Sequence, residues 1–270
     1  MSRQTASLLV ILFLGCAPPS ASPDAASPDG GATDAARLDT TDAATSRSGV
    51  LQVSSLTLGD DAPRASLAAL FGDFDVDASL HLALPGCTQT RSGSCVAVSC
   101  SGPSPAFDGA GTLTFEIGSR PVETLMPTDA HTYFGSALGF DEHTMIVAHA
   151  TGDVVPAFQF GVEAPGLPRA DLPTSYSVSS PLTITWAPDV SIAHVALSIS
   201  ATNGAVASID CDAAGTDGTV TVDPTLLALV GEGPTNIVLA GAETTIVRQG
   251  DYTLALRAAE ATAVVADATP

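Results

Sequence analysis

Lysine is missing from this 270-residue chain, and all nine of its basic residues are arginines. Chemistry that needs an amine nucleophile or a phosphate-loop lysine is thereby excluded, which removes Schiff-base and pyridoxal phosphate enzymes and P-loop nucleotide hydrolysis. Positive charge is scarce altogether: 29 acidic residues leave a formal charge of −20. A polyanion of this kind repels phosphate backbones and anionic headgroups, so no nucleic-acid partner is expected. Aromatic residues make up 5 % of the chain, with one tryptophan, too few for the several exposed rings of a typical carbohydrate binder. Neither a Gly-x-Ser-x-Gly elbow nor a His-Glu-x-x-His helix occurs. No long apolar run is present either.

The apolar stretch that does stand out is short. Arg3 precedes nine apolar or small residues, Ala6 to Leu14, followed by Gly15 and Cys16. A charged start, a short apolar stretch and a small residue before the cut describe an export signal too short to span a bilayer permanently. The ending Phe13-Leu14-Gly15-Cys16 resembles the lipobox of bacterial lipoproteins. That resemblance implies removal of residues 1–15 and diacylation of Cys16 as the new N-terminus. Ala17 stands where an aspartate would retain such a protein at the inner membrane, so the resemblance implies the outer membrane. An ordinary secretory signal, cut after Ala17 or Ala21, is the alternative.

Residues 16–48 form the next unit. From Ala17 to Ser48 the chain is Ala, Ser, Pro, Thr and Asp, with Asp24, Asp29, Asp34 and Asp39 at every fifth position. Such a composition buries too little surface to offset the entropy of ordering, which predicts a disordered tether. Setting aside Arg3, Arg37, Arg47 and the five aspartates of this stretch, 24 acidic residues oppose six arginines in the remainder.

Short segments of strand periodicity follow, separated by Gly, Pro, Asp and Ser. Leu80, Leu82 and Leu84 share one face, as do Leu113, Phe115 and Ile117. Leu182, Ile184 and Trp186 oppose Thr183 and Thr185, and Val195, Leu197 and Ile199 oppose His194, Ala196 and Ser198. Ser66 to Phe71 reads as a helical turn, and Asp223-Pro224 as the N-cap and first residue of a short helix through Val230. Prolines 165, 168 and 173 break any strand, which divides the chain into a β-sandwich over residues 49–168 and a second over 169–270. The fold class expected is therefore all-β, as two sandwiches. The second resembles Ig-like or fibronectin-like domains: Pro181 to Trp186 looks like an early strand with a core tryptophan. Gly250-Asp251-Tyr252-Thr253-Leu254 looks like a tyrosine corner opening a late strand, and Val264 and Val265 fall on the closing strand.

With Cys16 committed to lipid, Cys87, Cys95, Cys100 and Cys211 remain, an even number suited to two disulfides in an oxidising compartment. Cys95 and Cys100 lie five apart on one strand, point to opposite faces and cannot pair. The pairing expected is Cys87 with Cys95 and Cys100 with Cys211. No pair has the two-residue gap of a zinc knuckle. The run Asp73, Asp75, Asp77 fails the calcium-loop pattern, since Ala78 occupies the glycine position and Leu84 that of the bidentate glutamate. Asp210, Asp212 and Asp217, near Gly215 and Gly218, form a second calcium-loop candidate. His81, His131, His143, His149 and His194 read as scattered surface residues, with His143 and His149 on one strand face too far apart to share an ion.

Catalytic, cofactor and metal sites are none on this reading. The plan resembles bacterial envelope lipoproteins with Ig-like domains, which implies a non-catalytic structural, adhesion or accessory binding role. Its partners are the membrane through the N-terminal lipid and an envelope protein or glycan. A glycan- or calcium-binding module is the first alternative, and a secreted hydrolase with an unrecognised triad the second.

Overall fold

A computed structural model describes residues 47–57, 63–74, 87–100, 106–118, 120–202 and 207–270. The signal segment, Cys16, the linker as far as residue 46, Asp75, Asp77, and the alternating run with Leu80, His81, Leu82 and Leu84 lie outside the described residues.

The first half of the described chain contributes β1 (Arg47–Thr57), β2 (Arg64–Gly72), β3 (Cys87–Ser92), β4 (Cys95–Cys100) and β5 (Leu113–Ile117). It continues through β6 (Arg120–Leu125), β7 (Tyr133–Leu138), β8 (Met145–Ala150) and β9 (Phe158–Glu163). After the proline-rich break come β10 (Ser175–Ser177), β11 (Leu182–Thr185), β12 (His194–Ala201), β13 (Ala207–Ala214) and β14 (Thr219–Val222). A short helix α1 (Pro224–Val230) precedes the long hairpin of β15 (Gly233–Gln249) and β16 (Tyr252–Thr269). The fold is all-β and sandwich-like.

Ten of these strands form one sheet in the order β3-β4-β13-β12-β15-β16-β1-β2-β7, with β10 beside the end of β16. Two smaller sheets, β6-β5-β8-β9 and β11-β14, complete the described strands. The long hairpin is the spine. Its 17 register pairs run without a shift from Gly233↔Ala268 to Gln249↔Tyr252. Gly250, at φ 59°, gives the two-residue turn between them the left-handed first position that suits the twist of paired strands.

Alternation along β16 places both cores on one face of this sheet. Tyr252, Leu254, Leu256 and Ala258 enter the first core, under the four-stranded sheet. Ala266 and Ala268, in phase with them, enter the second, under β11, β14 and α1. The opposite face is buried as well: Val50 and Leu70 meet Phe74 and Phe107, Leu56 meets Val238, Ala240, Ala259 and Ala261, and Val96 meets Val98.

The division into separate sandwiches at residues 164–173 is thus corrected in one respect. No strand occupies that stretch, and each half has its own core, but β4 pairs with β13 and β1 with β16. Strands from before and after the break share one sheet because the long hairpin serves both cores. The strap between them lies close on the sheet, where a Cβ on Gly241 would run into the Gly166 carbonyl.

Two local expectations also change. Ser66 to Phe71 is extended within β2, whose central position between β1 and β7 supplies hydrogen bonds on both edges. Buried Ala65, Leu67 and Ala69 alternate with partly exposed Ser66 and Ala68, and from Ala69 to Gly72 every residue is buried, so the strand period fades toward that end. Arg47 and Ser48, assigned to the linker, open β1. The helix after Asp223 forms as read: the Asp223 carboxylate accepts from the Thr225 N–H at 2.8 Å, and Pro224 opens the first turn.

Candidate functional site

A connected polar network gathers where β1 begins, at the head of β16. Tyr252, only 2 % exposed, donates its hydroxyl to Asp108 Oδ2 at 2.7 Å. Arg47 lies across the same ring, its Cζ 5.6 Å from the centroid, and donates from Nη1 to the phenol oxygen at 3.4 Å. Its Nε stands 3.4 Å from Asp73 Oδ1. Burial, reinforced by the hydrogen bond to Asp108 and that carboxylate's charge, pushes the phenol up to about 12, with Arg47 pulling the other way.

Around this group the loop through Asp108 is pinned by main-chain and side-chain bonds. Asp108 N–H donates to Phe71 O at 2.7 Å. Ala110 N–H donates to the Tyr133 hydroxyl at 2.8 Å, which donates in turn to Gly111 O at 3.0 Å. His131, held at φ 56°, sets Nδ1 2.8 Å from Phe107 O. The Tyr252 and Tyr133 hydroxyls and the Asp108 and Ala110 N–H groups all donate within the protein. The network is therefore a fastening that joins the first strand, the last strand and the loop before β5.

A second electrostatic feature lies between the two cores. Glu260 occupies the inward face of β16 and is partly buried, and its carboxyl is raised above the ordinary range by burial and then by the charges of Glu142 and Asp141.

The candidate residues are mostly dispersed. Trp186 is buried in the second core, as alternation implies, and donates Nε1–H to Gly215 O at 2.9 Å. Asp212 pairs with His194 at 3.1 Å, and Asp217 accepts from Ala214 N–H at 3.1 Å, so the carboxylates of that calcium candidate are used separately. Asp73 is exposed and turned to Arg47. His143 pairs with Glu163 at 2.7 Å, and His149 Nε2 stands 3.4 Å from Glu116. His143 is not on the strand of His149: it sits in the turn ahead of β8 at φ 63°. Among the described residues no group of three or more His, Cys, Asp and Glu is placed to hold a metal ion.

The disulfides differ from expectation. Cys95 bonds Cys211, the two standing in register across β4 and β13 with Cα atoms 4.0 Å apart. Cys87 is likewise disulfide-bonded and stands in register with Cys100 across the β3–β4 hairpin. The pairing of Cys87 with Cys95 and of Cys100 with Cys211 is overturned by the Cys95–Cys211 bond. The physical reason is that the sheet is buried on both sides. Cys95 and Cys211 share the face of the second core, while Cys87 packs with Val96 and Val98 on the other.

Tyr252 also departs from the tyrosine-corner expectation. It opens a late strand, but its hydroxyl reaches the Asp108 side chain, 144 residues upstream, instead of a nearby main-chain group. Arg47 and Asp108 were not legible as partners in the sequence, since nothing local marks a pair so far apart.

No known protein family and no curated protein matches this chain.

Proposed function

We propose that this protein is a lipid-anchored envelope lipoprotein with a non-catalytic structural, adhesion or accessory binding role. The observation that carries the reading is Phe13-Leu14-Gly15-Cys16 after a short apolar stretch, followed by an Ala/Ser/Pro/Asp segment that serves as an acidic stalk. Diacylation of Cys16 and N-acylation of the freed amine supply several chains, each buried CH₂ contributing about 0.8 kcal/mol, which together hold the protein on the bilayer. The outer membrane is the address we assign, on Ala17 after the lipidated cysteine.

The described part supports a passive role. The Tyr252 and Tyr133 hydroxyls of the polar network at the head of β16 both donate within the protein, and its one tryptophan is enclosed in a core. The surface charge keeps neighbouring copies apart.

Intact-mass analysis of detergent-extracted protein tests the anchor. The expected mature chain starts at Cys16 and carries diacylglycerol and an acyl chain; an unmodified chain starting after Ala17 or Ala21 and recovered without detergent would overturn it. Affinity capture of the tagged, membrane-extracted protein, with mass spectrometry of what copurifies, tests the binding role. Reproducible recovery of an envelope protein or glycan supports it, and recovery of the chain alone counts against it.

A further inference from the structure

We propose that β1 is a mechanical clamp, which carries tension arriving through the N-terminal stalk in shear along two ladders. The inference rests on the anchoring reading for the source of the tension and on the described strands for everything else. β1 lies parallel to β16 over 11 register pairs, from Arg47↔Tyr252 to Thr57↔Thr262. On its other side it lies antiparallel to β2 over nine, from Ser48↔Gly72 to Leu56↔Arg64. A strand drawn out by its N-terminus along its own axis must break these bonds together, whereas a strand peeled sideways breaks them one at a time.

Three features suit β1 to this load. All nine residues between Arg47 and Thr57 are buried, on both faces, so water has little access to compete for the ladder groups. The end where tension enters is fastened, with Arg47 held by Asp73 and by the Tyr252 ring that is itself bonded to Asp108. The far end is secured too: β16 runs on past β1 to Thr269, where β10 pairs with it in parallel and Val178 N–H donates to Thr269 O at 2.8 Å. The two chain ends of this sheet thus lie at opposite ends of β16, roughly 55 Å apart at strand rise, on a line nearly parallel to the ladders.

Single-molecule force spectroscopy on the full mature chain tests the clamp by changing only the direction of pull. In one geometry the handles sit in the stalk and at the C-terminus. In the other, the second handle moves to a clickable residue at position 73, next to the end of β2 that pairs with Ser48, so that β1 and β2 are pulled apart from one end; the same substitution at position 73 is carried in the first geometry too, so that loss of the Arg47–Asp73 pair is common to both. At equal loading rate the first geometry is expected to need about twofold more force or higher, because the ladder bonds share the load. Its first step is expected to release most of the folded chain, since both cores use β16. Equal forces in the two geometries, or a first step that frees a single core and leaves β1 in place, would overturn the proposal. An unacylated mature chain would remove the source of tension and leave the force difference standing, so the two readings fail separately.

Discussion

Tyr252 and Glu260 lie eight residues apart on one strand and respond to pH in different ranges. The Tyr252 phenol is held near 12, so between its ordinary value and that figure the folded protein keeps a proton that the unfolded chain has released. Its contribution is complete below pH 10 and is lost as pH rises through about 12. Tyr252→Phe is expected to cost about 1–2 kcal/mol at neutral pH through the lost bond to Asp108 and to remove this alkaline component, as read by denaturant unfolding at several pH values. Glu260 behaves analogously at lower pH: its raised carboxyl means that stability falls as pH climbs from the usual glutamate range through the raised value. Glu260→Gln should therefore raise the unfolding midpoint at pH 7 and flatten the rise in stability that the parent shows on mild acidification. An unchanged midpoint would contradict the repulsion with Glu142 and Asp141. At this scale the inward side chains of β5, β11 and β12 were legible from alternation, and Trp186 with them. The partners of Tyr252, Arg47 and Asp108 were not, since they come from three distant stretches of chain.

Among the elements, β1 and β2 were the hardest to read and the most informative once seen. Val50 to Leu56 carries no alternation, because both its faces are covered and Gln52, Ser54 and Ser55 are buried alongside the apolar residues. Ser66 to Phe71 read as a helical turn, and pairing on both edges made it a strand. Gly49 records how close the packing is at this point. A Cβ there would strike the Phe71 ring and approach Leu254 Cδ2 to 2.6 Å. Gly49→Ala is expected to destabilise by about 1–3 kcal/mol in thermal unfolding, since neither neighbour has room to yield. The helix after Asp223, by contrast, was fully legible, because its start depends on a cap and a proline adjacent in sequence. β11 was legible from its alternation, whereas its partner β14 was not singled out in the sequence; the two meet on their outer face through Thr183 and Thr221, 3.0 Å apart at Oγ1.

For the whole molecule, the shared sheet makes the two cores interdependent. The Cys95–Cys211 bond joins strands 116 residues apart in sequence and fastens the β3–β4 hairpin to the half of the chain that follows the proline-rich break. Replacing both cysteines by alanine is expected to cost about 2–5 kcal/mol, through the entropy returned to the unfolded chain. Calorimetry of that double variant should still show one transition, since β15 and β16 link the cores; two resolved transitions would mean that they unfold separately despite the common sheet.

Composition and local pattern alone determined what lies close along the chain: the exclusion of lysine chemistry, the strongly negative charge, the strand character of segments such as β4, β5, β11 and β12, the capped helix and the break at 164–173. Tertiary structure decided which strands meet. A cysteine or leucine on an alternating strand declares that it points inward, but with two buried faces on one sheet the pattern cannot say toward which core. Register and strand order depend on the sum of contacts over some two hundred residues, and for that reason the disulfide pairing, the shared spine and the fastening at Arg47 became visible only in three dimensions.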